Sequence, residues 1–191
     1  TKATGTSTWQ FANEVLARPL GFTLAPWPRD PQGIYFGGND MLMTPRQMLA
    51  FGELYLNKGR ASGGRVPPFD VAQGAPSGSR GARSEPAEQV IPAEWVERSC
   101  EGRERSRRFP NPTFEFLRGF DPLGDRRYGY GWWVHEIGDY ETCFAWGYGG
   151  QYVFLVPELD LVMVTTSSPD VGEERRGHRR LLFDVLDEFV V

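Results

Sequence analysis

The residues of this chain best suited to chemistry lie in one stretch, Ala145-Trp146-Gly147-Tyr148-Gly149-Gly150-Gln151-Tyr152. Gly147, Gly149 and Gly150 allow backbone to approach a ligand closely. Trp146 and Tyr148 supply aromatic walls between them. Trp146, Gly147, Tyr148, Gly149, Gly150 and Gln151 are therefore the candidate substrate-binding residues. The same letters also describe a bulged sheet edge, which is what most glycines in strands mark. Other reactive side chains are sparse. Cys100 and Cys143 are able to pair if the fold brings them together, but one pair in a chain of 191 residues is not a disulfide framework. With His135 and His178 far apart and no Cys-x-x-Cys, no metal site is expected. His135 reads first as a hydrogen-bonded structural histidine. No cofactor is implied.

Several segments, taken in order, resemble the serine beta-lactamase and DD-peptidase family, in its class C-like branch with esterases and amide hydrolases. The glycine stretch and the strands after it resemble the family's third active-site element. Residues 33–59 resemble its glycine-rich connection and following helix. Ile91-Pro92-Ala93-Glu94-Trp95-Val96 is similar to its next helix start, and Tyr128-Gly129-Tyr130-Gly131-Trp132-Trp133 to its Tyr-Gly-aromatic strand. Thr4-Gly5 with Pro19-Leu20-Gly21 resembles an earlier helix and its exit.

The family's chemistry needs a serine three residues before a lysine, one helical turn apart, so that the amine assists deprotonation of the hydroxyl. None of the nine serines has lysine three positions on, and the only lysines are Lys2 and Lys58. No catalytic residue is therefore assigned within this chain. Tyr55-Leu56-Asn57 has the letters of the family's second motif but closes a helix. The third element lacks the lysine of Lys-Thr-Gly, so a carboxylate clamp is not expected. By resemblance, a backbone N–H near Trp146 or Gly147 supplies half of an oxyanion hole.

The chain starts at Thr1 without a lead-in, and it is expected to be the C-terminal portion of one beta-lactamase-related domain covering residues 1–191. Its partner would then be the missing N-terminal part of that domain, carrying Ser, Lys and Tyr. Its substrate would be a small-molecule ester, amide or peptide. The alternatives are a non-catalytic binding module of the same fold, or an inactive fragment. The resemblance points to a periplasmic or extracellular home.

A net charge of −4 does not favour a polyanion partner. The arginine runs 103–108 and 175–180 are interrupted by other residues and accompanied by no recognition motif, so no nucleic-acid role is expected. No apolar run approaches the roughly 20 residues that cross a bilayer.

The elements that must hold the glycine stretch are legible from caps and periodicity. Ser7-Thr8-Trp9-Gln10 and Thr44-Pro45-Arg46-Gln47 are capping boxes. The first predicts a helix over 8–17 with Trp9, Ala12, Val15 and Leu16 on one face. The second predicts a helix ending near Asn57-Lys58-Gly59, with Met48, Leu49, Phe51, Leu54, Tyr55 and Leu56 apolar. Residues 21–39 read as irregular loop, where Trp27, Tyr35 and Asn39 have scaffold or substrate roles. Residues 60–92, poor in large apolar groups, read as a flexible insertion. Residues 101–127 form a second irregular region. Tyr128–Glu136, Thr142–Trp146, Gln151–Val156 and Leu161–Thr166 are expected as antiparallel strands. Leu181, Leu182, Val185, Leu186 and Phe189 recur at helical spacing and should lay a last helix on that sheet. The fold class is α+β, an antiparallel sheet flanked by helices.

Overall fold

The computed structural model describes residues 2–61, 88–102, 104–105, 127–168 and 175–190, and for 104–105, 175–180 and 189–190 the backbone alone. The chain divides into two compact units, Thr1–Pro92 and Ala93–Val191. The α+β class expected from the sequence is what the structure has: helices and a six-stranded antiparallel sheet in the simple order β1 to β6.

In the first unit, helix α1 (Thr8–Ala12) begins at the expected box, with Gln10 N–H donating to Ser7 Oγ at 3.2 Å and Ser7 N–H to Gln10 Oε1 at 3.2 Å. It then widens into a π turn, Asn13–Ala17, closed by Arg18 N–H donating to Asn13 O at 2.9 Å. Bonding from i to i+5 re-phases the buried face. Trp9 and Ala12 pack against the core of Ala17, Leu24, Trp27 and Tyr35, as the 3.6-residue period requires, but Val15 is left 44% exposed. Ala17, five residues after Ala12, takes the inward place. Asn13 fixes the chain that follows, its Oδ1 accepting from Leu24 N–H at 2.7 Å and its Nδ2 donating to Trp9 O at 3.0 Å.

Residues 21–39 carry only the isolated antiparallel bridge Arg29↔Tyr35. Trp27 and Tyr35 are buried ring neighbours, and Trp27 Nε1 donates to Phe36 O at 2.8 Å, so both serve as core. Asn39 is exposed and donates to Asp40 Oδ2 at 3.1 Å.

Helix α2 (Pro45–Leu56) starts at the second box, where Thr44 N–H donates to Gln47 Oε1 at 2.8 Å. Leu54 and Tyr55 are buried, while Met48, Leu49, Phe51 and Leu56 are half-buried. The helix ends with Lys58 (φ 53°) and Gly59 (φ 79°) left-handed and Gly59 N–H reaching back to Leu54 O at 2.7 Å. Gly59 is doubly required, because a Cβ there would lie 2.0 Å from Ile91 O.

Of the expected insertion 60–92, residues 62–87 lie outside the described residues. Its two ends are joined: Arg60 bridges Gln89, Ala61 N–H donates to Glu88 O at 2.9 Å and Val90 N–H to Gly59 O at 2.8 Å.

In the second unit, α3 (Ala93–Cys100) starts where Ile91-Pro92 predicts. Strands β1 (Glu104–Arg105) and β2 (Arg127–Tyr128) lead into β3 (Trp133–Ile137), β4 (Tyr140–Gly147), β5 (Gln151–Val156) and β6 (Leu161–Thr165). The short β1 falls in a region expected to be irregular; residues 103 and 106–126 of that region, and the side chains of both arginine runs, lie outside the described residues. The expected single strand Tyr128–Glu136 is instead two, since Tyr128 pairs with Trp133 and Arg127 with Val134 across a fold-back at residues 129–132. Gly131 (φ 86°) allows that turn. Gly129 allows α3 to approach, because a Cβ on it would sit 1.9 Å from Ser99 O.

Register separates the two sheet faces. Trp133, Phe144, Trp146, Tyr152, Phe154 and Met163 share one face, and α4 (Arg175–Val190) lies on it. Val134, Cys143, Val153 and Leu155 share the other, which the Cys100–Cys143 disulfide ties to α3. The possible pairing of these cysteines is thus realised. On α4, Leu182 and Val185 are half-buried and Leu186 is buried as expected. Leu181 is 56% exposed, and Phe183 fills its place at 6%. Positions 182, 183 and 186 form one stripe, from which Leu181 is turned away by one step of about 100°.

Candidate functional site

The six candidate residues come together at one end of the sheet. Trp146 and Gly147 end β4, Tyr148-Gly149-Gly150 make a three-residue turn, and Gln151 opens β5 opposite Gly147. Gly149 and Gly150 have φ of 87° and 92°, a conformation only glycine adopts without strain. Gly147 leaves little room, since a Cβ on it would lie 3.2 Å from Gln151 Cβ.

The ladder between β3 and β4 stops at Trp133↔Phe144, whereas the ladder between β4 and β5 runs on to Gly147↔Gln151. Ala145, Trp146 and Gly147 therefore extend past the β3 ladder and pair with β5. Aromatic rings line this end of the α4-bearing face. Trp146 stacks on its cross-strand partner Tyr152 (6.2 Å, 6°), Trp133 lies 6.5 Å from Trp146, and Tyr128 lies 4.7 Å from Trp133. Tyr148, at the tip of the turn, is 66% exposed.

Hydrogen bonds from the end of β6 hold the turn. Thr165 Oγ1 donates to Gly150 O at 3.1 Å, and Ser167 Oγ donates to Gly149 O. The Gln151 carboxamide donates through Nε2 to Ser167 O and accepts from Ser167 N–H at 3.4 Å. Thr165 and Ser167 were not distinguishable in the sequence as site residues. Their only signal was a hydroxyl run, Thr165-Thr166-Ser167-Ser168, placed where a strand ends.

Residues 143–156 contain no Asp, Glu, Lys, Arg or His. The site is thus built from backbone, rings and one carboxamide, with no local charge to clamp a carboxylate. His135 stands on β3 opposite Thr142, two residues along the ladder from Trp133. Among the described residues no group of three or more His, Cys, Asp and Glu is placed to hold a metal ion. No helix among them is long and apolar enough to cross a membrane.

The fold-back at 129–132 gives this unit a second cluster. Tyr130 N–H donates to Ser99 O at 3.2 Å, its ring stacks on Trp95 (5.1 Å, 12°), and Arg98 lies 5.8 Å from the ring centre. These contacts and the disulfide fix α3 to the sheet.

No family model matches the chain, and no curated protein sequence matches it.

Proposed function

We propose that this chain forms the sheet wall of a beta-lactamase-related serine hydrolase that acts on an ester or amide through an acyl-enzyme, its nucleophilic Ser, Lys and Tyr lying outside residues 1–191. The observation that carries this reading is the end of β4. Ala145–Gly147 run beyond the β3 ladder into a left-handed glycine turn flanked by Trp146 and Tyr148. A strand end of this kind offers backbone N–H donors where charge develops on an attacked carbonyl. The absence of charge from residues 143–156 favours neutral esters, small amides or peptides over substrates that need a carboxylate clamp.

A second reading is a binding module on the same scaffold. It is favoured by the lack of any Ser-x-x-Lys pair in the chain. Reading about 200 codons upstream of Thr1, a length set by ordinary domain size, separates the two. A Ser-x-x-Lys followed by Tyr-x-Asn in that frame is expected. An unrelated frame or a stop codon contradicts the hydrolase reading.

A further inference from the structure

The glycine turn is flexible by composition and rigid by contact. Two adjacent glycines lose more conformational freedom on ordering than any other pair, so something outside the turn must hold them. The β4–β5 ladder closes the base of the turn at Gly147↔Gln151, but the β5–β6 ladder stops at Tyr152↔Thr165 and does not reach it. Beyond that point side chains replace it. Gln151 extends the pairing with an amide of its own, meeting both the N–H and the C=O of Ser167 as a facing strand residue would. Thr165 and Ser167 then donate to the carbonyls of Gly150 and Gly149 in turn.

These bonds decide which groups the turn presents. In a trans peptide the C=O and the next N–H point in opposite directions, and the described backbone has no cis bond. With Gly149 C=O directed at Ser167, Gly150 N–H points from the opposite edge of the same peptide unit, away from Ser167. With Gly150 C=O directed at Thr165, the next N–H, that of Gln151, is turned away from Thr165, and Gln151 pairs with Gly147 of β4. The Gly149 and Gly150 carbonyls are engaged from the end of β6, and the Gly150 N–H is aimed away from Ser167.

We propose that Gln151, Thr165 and Ser167 are positioning residues that lock the Gly149-Gly150 turn with the Gly150 N–H turned toward an acceptor oxygen of the ligand. The inference rests on the turn being the ligand site of the proposed hydrolase. The three residues act through the backbone and touch no reacting atom. Gln151→Glu discriminates a carboxamide that must both donate and accept from a side chain that only fills space, because a carboxylate cannot donate to Ser167 O.

The test uses the 191-residue chain, labelled with nitrogen-15, and reads the amides of Gly149 and Gly150. In the native chain their order parameters should match rigid backbone, about 0.85, and should fall below about 0.6 in Ser167→Ala with Thr165→Val and in Gln151→Glu. Ser167→Thr, which keeps the hydroxyl that Ser167→Ala removes, should leave the turn as rigid as in the native chain. Amides of the β3–β4 ladder should be unchanged in every variant, which shows that the sheet is intact. Acetate, whose oxygens resemble the charge on an attacked carbonyl, should shift Gly150 in the native chain, with an at least tenfold weaker response in the variants. Rigid glycines in the variants, or a native Gly150 amide indifferent to acetate, overturn the proposal. Failure of the hydrolase reading is seen separately, as absence of acylation in the longer polypeptide, and leaves these amide measurements unaffected.

Discussion

Gly129 and Gly147 look alike in the sequence, yet they answer to different neighbours. Gly129 has no positive φ; its hydrogen is required because Ser99 O occupies the space a Cβ would take. Gly129→Ala should therefore destabilise the second unit by about 1–3 kcal/mol, the usual penalty of forced overpacking, measured by urea unfolding. No sequence pattern announces such a close approach between a helix end and a turn. Phe183 was similarly hidden, because the heptad-like leucines around it suggested a stripe one position off. It meets Phe144, Tyr152 and Phe154 edge to face at 5.6, 6.0 and 5.4 Å, and Phe183→Ala should cost about 3–5 kcal/mol in the same assay. Glu53 on α2 gives a pH signature. Burial raises its carboxyl above the ordinary value of 4.5, so the folded state binds that proton more readily than the unfolded state. The contribution to stability is greatest below 4.5 and is lost as pH rises through the raised value. Glu53→Gln should remove this slope and raise the urea midpoint at pH 7 more than at pH 4.

At the scale of elements, local chemistry was readable wherever it was self-contained. Both capping boxes, the proline at the start of α2 and the β4–β5–β6 meander follow from residues adjacent in the chain. What failed were phase and continuity. The π turn displaced Val15 from the core because nothing in Asn13-Glu14-Val15-Leu16-Ala17 marks an extra residue per turn. The strand from Tyr128 broke into β2 and β3 because Gly129 and Gly131 serve a fold-back that only pairing with α3 and β3 explains. In the candidate site, the turn at Gly147–Gly150 was legible from glycine and aromatic spacing, but the hydroxyls of Thr165 and Ser167 that bond to it were not, since their partners lie outside their own strand. The disulfide joins elements rather than neighbours. It spans 43 residues, and a loop of that size restricts the unfolded chain enough to stabilise the fold by about 4 kcal/mol in the chain-entropy account. Thermal unfolding with and without reductant should show a clear fall in Tm on reduction, and Cys100→Ala with Cys143→Ala should match the reduced protein.

For the molecule as a whole, the proposed hydrolase has the sheet end formed by β4, the glycine turn and β5 orient and polarise a carbonyl, while the Ser-x-x-Lys nucleophile comes from outside residues 1–191. That division of labour is the central claim. Intact-protein mass spectrometry after exposure to a fluorophosphonate ester tests it most directly, comparing the 191-residue chain with the longer polypeptide read from the upstream frame. The account predicts one covalent adduct on the longer polypeptide, at a serine three residues before a lysine and outside residues 1–191, and none on the chain alone. An adduct on a serine within residues 1–191, or no adduct on the longer polypeptide, would contradict it.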